Sequence, residues 1–280
     1  MSSITVSCPG KVNLFLDVVG KRQDGYHLIE SLFLPITDIA DTLSITQNDT
    51  QGISISCNHP GVPTDSKNLV YKAAQAFADK TKIEAAWQIS LEKNIPVAGG
   101  MGGGSSNAAS TFMALNELYD HPLTKTEMQQ LAIKIGADIP FFFEKSPAYV
   151  QGIGEKITPV KIEESLFILF VPFVFPIAAS WAYKNRQAGF SHGEMNCAKY
   201  TRKLNANELP DTYNDLAQAL KEKFPLLKQT CEELLSLGAY SSNVSGSGPT
   251  CFALFKDEKS LDLAHNKLQR PSIKAKLISS

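Results

Sequence analysis

Pro96-Val-Ala-Gly-Gly-Met-Gly-Gly-Gly-Ser-Ser-Asn-Ala-Ala109 is the strongest local signal in this chain of 280 residues. Five of the six residues from Gly99 to Gly104 are glycine, and Ala108, Phe112, Leu115 and Tyr119 follow at helical spacing. A glycine loop therefore runs straight into the N-terminus of a helix with an apolar face. Backbone N–H groups unshielded by Cβ atoms fold around phosphate oxygens, and a helix start adds unpaired N–H groups and the positive end of its dipole. Ser105 and Ser106 bring hydroxyls that either donate to phosphate or ligate a phosphate-bound Mg²⁺. The competing reading is a flexible surface loop, but linkers rarely end in a helix with an Ala/Phe/Leu face. Two familiar phosphate motifs fail on residues. No Lys follows the last glycine as G-x-x-x-x-G-K-[ST] requires, and after Gly100-x-Gly102 the last position of G-x-G-x-x-G is Ser105.

Composition removes several function classes. Lys and Arg total 27 against 28 Asp and Glu, a formal charge of -1, so no basic excess points to nucleic acid or an anionic membrane. Hydrophobic residues at 43% suit a packed globular chain rather than a disordered one. The apolar run from Leu166 to Ala179 is cut by Pro172 and Pro176 and is too short for a membrane span. Met1-Ser2-Ser3-Ile4 lacks a basic segment followed by an apolar one, so no secretory signal is read. Cys8, Cys57, Cys197, Cys231 and Cys251 are odd in number and scattered, without C-x-x-C spacing, which argues against a disulfide framework or a structural zinc site. A cytoplasmic protein with free thiols is the expectation.

Outward from the glycine loop, strands are expected at Ile4–Cys8, Lys11–Val19, Thr42–Thr46, Ile53–Cys57 and Trp87–Leu91. Gly20 to Gly25 reads as a turn. Asp65 and Ser66 offer caps for a helix bearing Leu69, Val70, Ala73, Ala74 and Phe77. Thr124 and Glu127 have capping-box spacing for a helix ending near Gly136. Leu166–Val171 reads as a buried strand, Asp215–Phe224 and Cys231–Leu237 as helices, and Ser245-Gly-Ser-Gly248 as a second flexible loop. Cys251–Phe255, Asp257–Leu268 and Ile273–Ile278 complete the chain as strand, helix and strand. The elements mix without strict βα alternation, so the class is α+β, with Gly152-Ile-Gly154 the best candidate border between two domains.

Asp138, before Pro140 and the Phe141–Phe143 cluster, is the best candidate base. A carboxylate beside aromatics is either paired or raised in pKa, and the alternative is a turn residue satisfying local N–H groups. A lone Lys11 reads as a solvated surface residue. Tyr26 and His27 follow the Asp24-Gly25 turn, and either stack on and hydrogen-bond a planar base or pack into the core.

Three segments together resemble the ordered motifs of the GHMP kinase superfamily. They are Pro9-Gly-Lys-Val-Asn-Leu-Phe-Leu16, Pro96 to Ala109, and Ser245-Gly-Ser-Gly-Pro-Thr-Cys251. Lys21-Arg-Gln-Asp-Gly-Tyr-His27 and Gly136-Ala-Asp-Ile-Pro140 resemble the branch that acts on 4-diphosphocytidyl-2-C-methyl-D-erythritol. The likeness runs from about residue 4 to 155 and continues in patches to the end, with 185–210 matching poorly. Gly10 and Met101 depart from the Ala and Leu usual there, and neither position supplies a reacting group.

The resemblance implies a two-domain GHMP fold. Residues 1–155 would form a ribosomal-protein-S5-domain-2-like ATP-binding domain and 156–280 a ferredoxin-like domain, with the active site in the cleft between them. It implies transfer of phosphate from ATP, with Mg²⁺ on the nucleotide, to the acceptor's 2-hydroxyl, a step of the methylerythritol phosphate route to isoprenoid precursors. It makes Asp138 the catalytic base and Lys11 its partner. It assigns Asn68 and the segment Pro96, Val97, Ala98, Gly99, Gly100, Met101, Gly102, Gly103, Gly104, Ser105 and Ser106 to ATP, with Ser106 reaching metal only through the nucleotide. It assigns Asn13, Tyr26, His27, Tyr183, Gly246, Ser247 and Gly248 to the acceptor, Tyr183 through a gapped alignment. Partners are small molecules only, with no nucleic acid and no membrane; the oligomeric state, monomer or weak dimer, stays open. The rivals are a homoserine- or mevalonate-type kinase of the superfamily and a non-catalytic nucleotide-binding protein on the same fold. Homoserine and mevalonate have no base for Tyr26 and His27 to stack on, and intact Lys11 and Asp138 oppose the non-catalytic reading.

Overall fold

Alternating burial along the first strand shows how early the chain commits to a sheet. In β1 (Ser3–Lys21) the residues from Cys8 to Leu16 are almost all buried, so the strand is covered on both faces through its middle. The computed structural model describes residues 2–186 and 196–277. The next elements are β2 (His27–Gln47), β3 (Gly52–Cys57), α1 (Leu69–Thr81), β4 (Ala86–Glu92), α2 (Gly103–Leu118) and α3 (Lys125–Ala132). A 3₁₀ turn at Ile139–Phe143 leads to β5 (Ala148–Gly152), β6 (Lys156–Pro159) and β7 (Leu166–Val171). Then come α4 (Ala179–Asn185), α5 (Cys197–Asn205), β8 (Tyr213–Asn214), α6 (Ala217–Lys223) and α7 (Pro225–Ser236). The chain closes with β9 (Ser241–Val244), β10 (Cys251–Phe255), α8 (Glu258–Lys267) and β11 (Ile273–Leu277).

These elements fall into two compact units that are not contiguous in sequence. One comprises residues 1–10, 39–97 and 102–145; the other comprises 11–38, 98–101 and 146–280. In the first, β3 pairs parallel to β4, and β4 pairs antiparallel to the end of β2, with Ile45 opposite Ile89. α1 buries Val70, Ala73, Ala74, Phe77 and Ala78, one face at helical spacing. α2 is buried nearly all round, and its small residues at Ala108, Ala109, Ser110 and Ala114 let neighbours approach closely. Trp87 on β4 is fully buried and donates its indole N–H to Tyr119 Oη at 3.0 Å.

The second unit holds the start of β2 paired antiparallel to β5, β5 to β6, and β8 parallel to β1 with Leu16 opposite Asn214. It also holds a separate antiparallel sheet in the order β11-β7-β10-β9. Counted along the chain, that is a 4-1-3-2 order with helices between the first and second strands and between the third and fourth. This is the ferredoxin-like arrangement expected from sequence.

Several local expectations change. Ile4–Cys8 and Lys11–Val19 are one strand, because the backbone stays extended through Pro9 and Gly10. The cap of α1 is Asn68, whose side chain accepts from the Val70 N–H, and neither Asp65 nor Ser66 takes that place. Both bonds of the Thr124–Glu127 capping box form, yet α3 stops at Ala132, short of Gly136. Cys231–Leu237 is the second half of a helix that Pro225 begins. The last strand ends at Leu277, and Ile278 lies outside the described residues. Among the described residues, no helix is long and apolar enough to cross a membrane.

A buried charge cluster fixes the first unit beneath the first turn of α2. The Asp41 carboxylate is wholly buried. It accepts from Lys93 Nζ, from Asn107 Nδ2 at 2.9 Å, and from the N–H groups of Asn94 and Ile95 at 2.7 and 2.8 Å. Lys93 also donates to Asn107 Oδ1 at 2.8 Å. β2, the loop after β4, and α2 are thus tied at one point. Asp41→Ala would strand the Lys93 charge and two backbone donors, a loss of about 3–5 kcal/mol. Urea denaturation should show that drop, and a variant within about 1 kcal/mol of wild type would refute the role.

Candidate functional site

The shape of the glycine loop comes from what holds its carbonyls. The Thr250 N–H donates to Gly99 O at 3.3 Å, Ser245 Oγ to Gly100 O at 3.1 Å, and the Lys11 N–H to Met101 O at 2.9 Å. In a planar trans peptide the next residue's N–H points opposite to the carbonyl. Drawing back three successive carbonyls therefore turns the N–H groups of Gly100, Met101 and Gly102 away from those partners. Among the described residues none of the three donates to a protein group. Such a run of N–H groups has the form of an anion nest.

The glycines of this loop serve different needs. Gly100 and Gly102 have φ of 78° and 70°, and Gly102 is the residue before α2. A Cβ on Gly100 would lie 2.1 Å from Ser245 O and 3.0 Å from Gly248 N, so this loop and the 245–248 loop touch backbone to backbone. A Cβ on Gly103 would press on Ile95 Cγ2 and Lys93 Nζ, each at 3.1 Å. Gly103 therefore permits packing over the Asp41–Lys93 cluster. A Cβ on Gly104 would meet only Leu69 Cδ1, at 3.6 Å. Ser106 is fully buried in the first turn of α2, and its Oγ has no hydrogen-bond partner among the described residues. A buried hydroxyl left unpaired suits a ligand oxygen or a nucleotide-bound cation. Ser105 is half-buried, as are Pro96 and Val97, while Ala98 is exposed with φ of 55°.

Lys11 is 4% exposed, which overturns the expectation of a solvated lysine. Its Nζ donates to Asn13 Oδ1 at 2.7 Å and lies 4.6 Å from the centroid of the Phe33 ring. Asn13 Nδ2 donates to Ser31 Oγ at 3.0 Å, and Ser31 Oγ to Phe15 O at 2.6 Å. Asn13, Lys11 and Ser31 thus form a relay across β1 and β2 that fixes the ammonium's direction. Ser31 and Phe33 carry no sequence motif and went unseen; only pairing of the two strands reveals them.

Gly246, with φ of 53°, would place a Cβ 3.2 Å from Asn13 Oδ1, 3.3 Å from Gly100 O and 3.5 Å from Lys11 Nζ. The 245–248 loop therefore closes against both Lys11 and the glycine loop, with the Gly248 N–H on Ser245 O at 2.9 Å and Ser247 half-buried. Ser245 and Thr250, both fully buried, are further residues that motif matching left without a role.

Asp138 sits in the other compact unit, half-buried, immediately before the 3₁₀ turn whose Ile139, Pro140 and Phe141–Phe143 are all buried. Those apolar side chains, with Phe143 packed 6.3 Å from Phe112 between ring centroids, anchor the backbone that carries the carboxylate. Asn68 is buried. Its amide is spent locally, Oδ1 on the Val70 N–H at 2.9 Å and Nδ2 on Pro63 O at 2.6 Å.

The aromatic set expected at the acceptor is partly assembled. His27 and Tyr183 stack with centroids 5.2 Å apart and planes at 22°. Tyr26 is 57% exposed on the turn. Desolvation first, then the Lys21 and Arg186 charges, hold the His27 imidazole below its ordinary pKa of 6.5. A neutral ring keeps one donor and one acceptor nitrogen.

Gly100→Ala adds an αL cost of about 1–2 kcal/mol to a clash with rigid backbone. It should lower the melting temperature by several degrees in scanning calorimetry. Gly104→Ala, helical and with room for a methyl group, should hold or raise the melting temperature. Equal behaviour of the two variants would dismiss the backbone contact as the reason for Gly100.

Known proteins resemble this chain over most of its length. The GHMP kinases N terminal domain matches residues 68–145 and the GHMP kinases C terminal domain residues 200–274. The chain is 36% identical over 270 residues to the 4-diphosphocytidyl-2-C-methyl-D-erythritol kinase of Pelobacter propionicus, covering 96% of this chain and 95% of that one. A crystal structure of 4-(cytidine 5'-diphospho)-2C-methyl-D-erythritol kinase superposes with a TM-score of 0.85 at 28% identity, covering 99% of this chain and all of the other. Homoserine kinase from Cytophaga hutchinsonii shares the fold, with a TM-score of 0.72 at 15% identity, covering 100% of this chain and 95% of that one. With its two-domain α+β fold, this chain belongs to the 4-diphosphocytidyl-2-C-methyl-D-erythritol kinase family of the GHMP kinases.

Proposed function

We propose that this chain transfers the terminal phosphoryl group of ATP to the 2-hydroxyl of 4-diphosphocytidyl-2-C-methyl-D-erythritol, in the methylerythritol phosphate route to isoprenoid precursors. The observation that carries this reading is the likeness, over 96% of the chain, to a relative named for that kinase. The reading divides the chain near 155, between the stretches that match the two GHMP domains.

Phosphoryl transfer asks mainly for positioning and charge neutralisation. The N–H groups of Gly100, Met101 and Gly102 would take ATP phosphate oxygens. Ser106 would take a phosphate oxygen or the Mg²⁺ that accompanies the nucleotide and neutralises its charge. A tertiary alcohol is a poor nucleophile, so Asp138 accepts its proton. The Lys11 ammonium, aimed by Asn13 and Ser31, favours charge at the reacting oxygen. Asn13 then acts by orienting Lys11, and Gly246 and Gly248 act by bracing the loop beside it. Asn68, whose amide is committed to the Val70 N–H and Pro63 O, acts on the adenine side by fixing the start of α1. Tyr26 and Tyr183 offer ring faces to the cytosine and His27 its ring nitrogens. The 5.2 Å between the His27 and Tyr183 ring centroids leaves no slot for a base between those two rings.

ATP consumption measured with the cytidylated acceptor, mevalonate and homoserine tests the substrate. Turnover of mevalonate or homoserine alone would end this reading. Asp138→Asn should cut the rate by about 10²–10⁴-fold with ATP binding retained; near-normal turnover in a folded variant would remove Asp138 from the mechanism. Because the folded His27 pKa is depressed, its neutral form persists into more acidic solution than that of a free imidazole. The acceptor KM should therefore stay level as pH falls through 6.5 and rise only below it, and His27→Gln should flatten that rise. An acceptor KM that climbs from neutral pH downward would contradict the assignment of His27.

A further inference from the structure

Asp215, immediately after β8, has a side chain wholly removed from water. A buried carboxylate needs partners at both oxygens. Oδ2 accepts from Arg186 Nη1 at 2.8 Å and from the Val18 N–H at 3.2 Å, and Oδ1 accepts from Tyr213 Oη at 3.1 Å. Burial, and then the Asp215 charge, push the Tyr213 phenol's pKa up, so it remains a donor. The Arg186 side chain is itself 7% exposed. A charge-assisted bond between two dry side chains, braced from β1 and β8, is a stiff tether.

What it tethers is α4. This helix has seven residues, no side-chain cap at its start, and Ala182 as its one buried residue. So short a helix is marginal by itself. The Trp181 ring meets Phe224 edge-on at 5.7 Å between centroids, and Arg186, the residue after the last turn, pins the other end. Tyr183 lies one turn before Arg186, and its ring stacks on His27.

We propose that Arg186 and Asp215 are positioning residues that hold Tyr183 on His27 and thereby set how tightly the acceptor's cytidine end is bound. The proposal rests on the reading of Tyr26, His27 and Tyr183 as the cytidine pocket. Neither residue touches a reacting atom; both act through the placement of α4.

The experiment compares Asp215→Asn, Arg186→Met and Arg186→Lys with wild type, each also combined with Tyr183→Ala. Steady-state kinetics with both substrates are read beside the NMR signal of the His27 ring. Asp215→Asn and Arg186→Met should raise the acceptor KM about 10–100-fold, with kcat and the ATP KM essentially unchanged. Both should shift the His27 signal as the stacked ring leaves, and Arg186→Lys should recover part of each effect. In the Tyr183→Ala background the same substitutions should add almost nothing, since the group they act through is gone. A folded variant with wild-type acceptor KM and an unshifted His27 signal overturns the proposal, and so do effects that simply add to those of Tyr183→Ala. Should Asp215→Asn fail to fold, Arg186→Met carries the same decision. Should wild type not turn over the cytidylated acceptor, the functional reading fails, and the part of the His27 shift that disappears in the Tyr183→Ala background, as distinct from the direct effect of the Arg186 charge, still decides whether the pair places Tyr183.

Discussion

Three hydrogen bonds to the carbonyls of Gly99, Gly100 and Met101 set the glycine loop, and much of the molecule exists to supply their donors. Thr250 and Ser245 come from the loop between β9 and β10, and the Lys11 N–H from the middle of β1. Each donor lies far from the loop in sequence. Glycine permits the backbone to adopt the loop, but its permissiveness costs conformational entropy on folding. Bonds to the carbonyl side offset that cost while leaving the N–H side without protein partners among the described residues.

The same economy of backbone and side chain recurs around Lys11. Its N–H shapes the glycine loop, and its ammonium is aimed by Asn13, which Ser31 holds from the neighbouring strand. Gly246, at φ of 53°, closes over the pair, and a Cβ there would crowd Asn13 Oδ1 at 3.2 Å and touch Lys11 Nζ at 3.5 Å. One stretch of β1 thus serves an anion nest and a directed cation, and burial makes each bond in the relay costly to lose.

Two buried carboxylates do comparable work elsewhere. Asp41 gathers Lys93, Asn107 and two backbone donors where β4 leaves its sheet, and a Cβ at Gly103 would crowd Lys93 and Ile95 at 3.1 Å. Asp215 gathers Arg186, Val18 and Tyr213 where β8 meets β1. Buried ion pairs add little net stability when compared with apolar packing, yet each selects a single arrangement because a lone charge cannot stay buried. Here they fix the packing under the first turn of α2 and the seat of a short helix.

Wherever spacing or a run of residues carries the signal, the amino-acid sequence by itself was enough. The α1 face at Val70, Ala73, Ala74 and Phe77, the Thr124–Glu127 box, the apolar β7 and the helix after Gly102 follow from local periodicity and capping chemistry. The glycine loop, Asp138 and Lys11 were legible as motif residues. What lay beyond reading was every choice made by a distant partner. Asn68 rather than Asp65 caps α1, because the carbonyl of Pro63 holds its amide in place. Lys11 is dry because β1 is covered on both faces. Gly103 faces a buried ammonium, and the stack of Tyr183 on His27 joins a turn to a helix well over a hundred residues later. Periodicity reports which face of an element is apolar. Only tertiary structure decides which polar groups meet across the faces, because those bonds form between residues that the chain order leaves far apart.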